Sequence, residues 1–252
     1  MRHIWRIIYP MLIYFGITVV VSVVVLMTSL TGDVVIITLL SALAAIPVLG
    51  WIFRREQWMR VKTLLAGGLS MEQASLTIVF GTAACIAFNN LISISKLPVL
   101  FPGYAKVSEA LYSPPLLLQI IAIGLVIPVV EELIFRGLGF ARLRDICGFW
   151  PAALVSALIF GLYHGNVVQF VYAGFLGLAL CWVYEQTGSF LAPVVFHQAA
   201  NLVSVLFTSV LGEEYEAFGR GISLYIMTLA ALAVMVLAAR EMKKSARKEE
   251  LS

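Results

Sequence analysis

Charge is what this sequence has least of. Only 12% of its 252 residues are Asp, Glu, Lys or Arg, while 61% are hydrophobic. Soluble globular domains carry about a quarter charged residues, so that class is excluded. The net charge of +3 does not point to nucleic acid, because the cations sit in short stretches flanking apolar runs. Cysteine is scarce as well. Cys85, Cys147 and Cys181 are scattered, odd in number and without CxxC or other metal spacing, so they read as reduced packing residues. No linker, low-complexity segment or convincing internal repeat divides the chain, and a single integral membrane domain over residues 1–252 is expected. Arg2 and Arg6 precede an apolar run over residues 7–30 that is too long for a signal-peptide core. No clear cleavage site follows it, so it reads as a retained signal anchor.

What fills the chain is a series of apolar runs of about twenty residues, the signature of an all-α, polytopic transmembrane helical bundle. About eight membrane helices are expected, near residues 7–30, 34–53, 72–94, 114–140, 151–163, 167–184, 189–211 and 222–239. Arg54, Arg55, Arg60 and Lys62 with Trp58, Val61 and Leu65 suit a short interfacial helix. Ser70 and Gln73 form a capping-box pattern at the start of the third run. Residues 95–113 read as a long mixed loop, and Glu213, Glu214 and Glu216 as a solvated acidic one. Eight spans put both termini on one side. With the N-terminus inside, fourteen of the seventeen Lys and Arg residues lie inside, leaving Lys96, Lys106 and Arg220 outside. That bias matches the positive-inside rule and predicts cytoplasmic termini.

Against this background a few polar residues stand out. Residues 116–130 contain one polar side chain, Gln119, and lead directly into Glu131, Glu132 and Arg136. A charge at the centre of a membrane helix costs about 2.5–3.5 kcal/mol on insertion scales. His164, His197 and Asn201 lie within or at the edge of two further runs. At about 1.5 Å per helical residue, Glu131, His164 and His197 reach comparable depth, biased toward the cytoplasmic half. Glu132 and Arg136 are four apart and can pair. Glu131 is turned by about 100° from Glu132 and lacks the arginine, which suits general acid–base work. His197 and Asn201 are also four apart and share a face. Pro128 opposes the carbonyl of Gly124 and predicts a kink that frees a backbone acceptor for water. Each feature has a plainer reading. Glu132–Arg136 is a structural ion pair, a lone membrane histidine or asparagine is interhelical glue, and Gly161, Gly165, Ala173 and Gly177 are packing positions. The coincidence of Glu, His, His and Asn at similar depth is what those readings leave unexplained.

At these positions the sequence resembles the CPBP family of CAAX proteases and bacteriocin-processing enzymes, of Rce/Abi type. The EExxxR motif is Glu131-Glu132…Arg136, FxxxH is Phe160…His164, and HxxxN is His197…Asn201. The likeness covers residues 116–205. It implies an intramembrane endopeptidase in which Glu131 activates water, His164 holds that water, and His197 and Asn201 stabilise the oxyanion. Glu132, Arg136 and Phe160 support the site. It also implies a peptide or membrane-protein substrate and a bacterial plasma-membrane location. The family has been described as both metallo- and glutamate proteases. Glu131, His164 and His197 could present a ligand set to a divalent metal such as Zn. The HExxH motif is absent, and metal-independent chemistry, with no cofactor, is favoured. Two other functions stay open: a non-catalytic partner of another membrane protein such as a sensor kinase, and a proton-coupled transporter.

Overall fold

The computed structural model describes residues 2–59, 68–212 and 221–251. Among these residues the only regular secondary structure is helix. Seven helices are long and apolar enough to cross a membrane. They include α1 (Arg2–Met27), α2 (Val34–Met59) and α3 (Met71–Ile94). Two short helices, α4 (Leu97–Leu100) and α5 (Gly103–Tyr112), precede α6 (Leu116–Arg144). The apolar α7 (Phe149–Tyr163) has only 15 residues. It is followed by α8 (Val167–Thr187), α9 (Leu191–Leu211) and α10 (Ile222–Leu251).

Local chemistry sets most of the boundaries. Ser70 and Gln73 make the predicted reciprocal capping box on α3. Asn166 caps α8 by accepting from the backbone N–H of Gln169. Gly188, at φ 61°, ends that helix in the left-handed conformation. Three expectations need correction. Residues 95–113 form α4 and α5 rather than a loop, because proline and glycine start short helices there. Residues 54–59 continue α2 instead of opening an interfacial helix, and the rest of that stretch lies outside the described residues. The last helix does not stop near residue 239 but continues to Leu251, so Arg240, Lys243 and Lys244 extend α10. The acidic stretch 213–216 also lies outside the described residues.

In the bundle α3 packs against α9 and α10, α8 against α7, and α1 against α2. The core around α6 is built from Val130, Ile134, Phe135 and Leu138 with Phe160, Leu176, Leu180 and Phe196. Outward-facing apolar side chains such as Phe15, Val20, Leu158 and Leu229 are exposed, as a lipid-facing surface requires. One end of the bundle is tied by ion pairs that span helices. Arg142 on α6 grips Glu56 on α2 through two bonds of 3.0 and 2.6 Å. It also donates to Tyr9 Oη at 2.6 Å and to the Arg6 carbonyl. Arg144 grips Glu185 on α8 through bonds of 2.9 and 2.7 Å. Arg142 and Arg144 lie in the last turn of α6, where cations complement the helix dipole.

Candidate active site

The helix that carries the acidic pair is not uniformly α. Residues Ile120–Val126 and Leu133–Phe140 are π-helical, flanking the α-helical Ile127–Glu132. Such wide turns leave carbonyls without their usual partners and are frequent at functional sites. Neighbouring helices supply replacements. Ser156 on α7 donates to the Phe135 carbonyl at 3.0 Å. Gln198 on α9 donates to that of Leu125 at 2.9 Å.

Pro128 acts differently from the expectation. The N–H of Ile127 bonds to the Ala122 carbonyl five residues back. In that register the N–H missing at Pro128 would have served Ile123, not Gly124. The freed Ile123 carbonyl accepts from Asn201 Nδ2 at 2.9 Å. A side chain from α9 therefore meets the freed acceptor. Asn201 keeps a second amide hydrogen.

Glu132 and Arg136 form the predicted pair, at 2.9 Å, and both are fully buried. The guanidinium also lies over the Phe160 ring, 4.2 Å from its centroid. Gly177 makes room for it, since a Cβ there would stand 3.1 Å from both Arg136 Nη2 and the Ala157 Cα. The bland packing reading of Gly177 is thus correct, and what it packs against is the site arginine.

The sequence pattern did not show that Glu132 has a second partner. His197 Nδ1 lies 2.8 Å from the same Oε1 that holds Arg136. A carboxylate paired with arginine accepts, so Nδ1 carries the proton in that bond. The other ring nitrogen, Nε2, is 3.7 Å from Glu131 Oε2. The two adjacent carboxylates therefore flank one imidazole. His164 is fixed from its own helix: Nδ1 lies 2.8 Å from the Phe160 carbonyl. A carbonyl can only accept, so neutral His164 has its Nε2 lone pair free. Phe160 packs edge-on against both histidines, with centroid separations of 4.9 and 5.8 Å.

Glu131, His164, His197 and Asn201 line one cavity of about 1100 Å³, open mouth included. All four candidate residues from three helices are brought together. Among the described residues, no group of three or more His, Cys, Asp and Glu side chains is arranged to hold a metal ion. The set of Glu131, His164 and His197 does not fit a zinc site in this arrangement, and no step below passes through a metal.

The sequence of this region has parallels among known proteins. Residues 113–203 match the family model described as type II CAAX prenyl endopeptidase Rce1-like. A Bacillus subtilis (strain 168) protein named "Putative membrane peptidase YdiL" is 30% identical over 89 residues, 35% of this chain and 36% of its own length. The "UPF0177 protein YxdF" of Lactococcus lactis subsp. lactis (strain IL1403) is 29% identical over 96 residues, 38% of this chain and 52% of its own. The matches therefore span about a third to a half of these relatives. No solved structure matches the chain.

Proposed function

We propose, from the match of residues 113–203 to the Rce1-like model, that this integral membrane protein is an endopeptidase of the CPBP type that hydrolyses peptide bonds within its helical bundle. The observation that carries the proposal is the gathering of Glu131, His164, His197 and Asn201 around one cavity.

In this reading Glu131 takes a proton from water as the water oxygen attacks the scissile carbonyl carbon. His164 holds that water through its free Nε2. The carbonyl π electrons move onto oxygen, giving a tetrahedral oxyanion. Asn201 donates its remaining amide hydrogen to that oxyanion. His197 donates from Nε2, which requires the imidazolium form, because Nδ1–H is already committed to Glu132. Glu132 is thus a positioning residue that sets the ring's orientation. The oxyanion collapses, the C–N bond breaks, and Glu131 returns the proton to the leaving amine. Donors fixed before reaction cost no reorganisation in the transition state. The cation bias supports cytoplasmic termini, and the setting proposed for the protein is a bacterial plasma membrane.

The test is full-length protein in proteoliposomes mixed with a proteome-derived peptide library and read by mass spectrometry for new N-termini. Wild type should generate them and Glu131→Gln should not, with both proteins folded. The same termini from Glu131→Gln would refute the assignment.

A further inference from the structure

The cavity and the cations occupy opposite halves of the bundle. Arg6, Glu56, Arg142, Arg144 and Glu185 knot α1, α2, α6 and α8 together at one end. Arg54 and Arg55 near the end of α2 belong to that end, as do Arg240, Lys243 and Lys244 toward the end of α10. Among the described residues the opposite end holds only Lys96 and Lys106. By the positive-inside rule the knotted end is cytoplasmic.

From Glu131 and His197 the cavity runs away from that end. Its wall there includes Val34 in the first turn of α2, Ile92 near the end of α3, Tyr104 on α5 and Gln169 in the first turn of α8. Every one of these positions lies on the far half of its helix, or on a short helix that caps that half. Val34 is itself 57% exposed. The short α7 adds to this opening. Its 15 residues reach only about 22 Å, and its end is His164, beside a left-handed turn at Gly165 with φ 71°. The wall also carries polar groups suited to an extended backbone, among them Asn89 and the Tyr112–Ser204 hydroxyl pair at 2.9 Å.

We propose that the chamber is entered from the extracytoplasmic side, so that its substrate is a polypeptide presented on that face rather than a cytosolic tail. The substrate class rests on the endopeptidase reading, whereas the route does not. The depth of the site residues, expected to be biased toward the cytoplasmic half, sets where the bond is cut and is independent of the side on which the chamber opens.

The test is cysteine labelling. Cys147, the one native cysteine that is not buried, is changed to serine, and Ser204→Cys is introduced into the cavity wall. A charged, membrane-impermeant maleimide is added to intact cells or to sealed inside-out vesicles, with Lys243→Cys as the cytoplasmic control. Ser204→Cys should label in intact cells and lose labelling in inverted vesicles, and Lys243→Cys should do the reverse. Gln169→Cys is the second probe if Ser204→Cys fails to fold. Labelling of both cavity probes only from the cytoplasmic face would overturn the route. Labelling needs no turnover, so outside labelling together with unchanged peptide output from Glu131→Gln would sink the endopeptidase reading alone.

Discussion

Glu132 holds His197 and Arg136 on a single carboxylate oxygen, at 2.8 and 2.9 Å. The ion pair that makes Glu132 tolerable inside a membrane helix therefore also orients the imidazole on a neighbouring helix. Support and chemistry share one atom.

This arrangement predicts a separation of stability from activity. Arg136→Met strands a buried carboxylate and should cost about 3–5 kcal/mol. Adding Glu132→Gln removes the stranded charge and should recover much of the loss, read as melting temperature in detergent. Peptide cleavage should not recover, because the charged acceptor for His197 Nδ1 is gone. Restored cleavage in the double variant would show that Glu132 serves only the ion pair.

Asn201 and Gln198 sit three residues apart on α9, and both donate to carbonyls of α6. Only Asn201 lines the cavity. Asn201→Ala should lower kcat by about 10²–10³, the usual loss for one oxyanion donor. Gln198→Ala should cost about 0.5–1.5 kcal/mol of stability and leave kcat near wild type. Equal kcat losses in the two variants would show that Asn201 acts only as a helix tie.

Pro128→Ala restores an N–H that competes with Asn201 for the Ile123 carbonyl. Helix-interior proline costs about 3 kcal/mol relative to alanine, so thermal stability should hold or rise. Cleavage should fall as Asn201 loses its anchor. Stability and kcat measured on the same preparation decide it, and unchanged kcat would mean that the proline merely bends the helix.

Gly177→Ala brings a methyl to about 3.1 Å from Arg136 Nη2 and the Ala157 backbone. Overpacking of this kind costs about 1–3 kcal/mol. The variant should melt earlier, while Gly174→Ala on the same helix, with open space at its Cβ, should not.

Much of this was legible in the sequence. Apolar run length gave the membrane bundle, because every backbone polar group in lipid must be satisfied within the helix. The 3.6-residue period paired Glu132 with Arg136, since that interaction lies within one turn. Capping at Ser70 was equally local. The ordered motifs on three separate runs marked Glu131, His164, His197 and Asn201 as a set.

Contacts between helices were not legible, because nothing in the period of one helix fixes what faces it from another. His197 on Glu132, Asn201 on the Ile123 carbonyl and Arg142 on Glu56 join residues 65, 78 and 86 positions apart. The π-helical segments were hidden for a related reason: a widened turn is set by the neighbours that satisfy its loosened carbonyls. The sequence by itself determined that this chain is a membrane bundle with a few costly polar residues at its heart. Only the tertiary structure decided which of them meet and toward which end their cavity leads, because both depend on packing between helices.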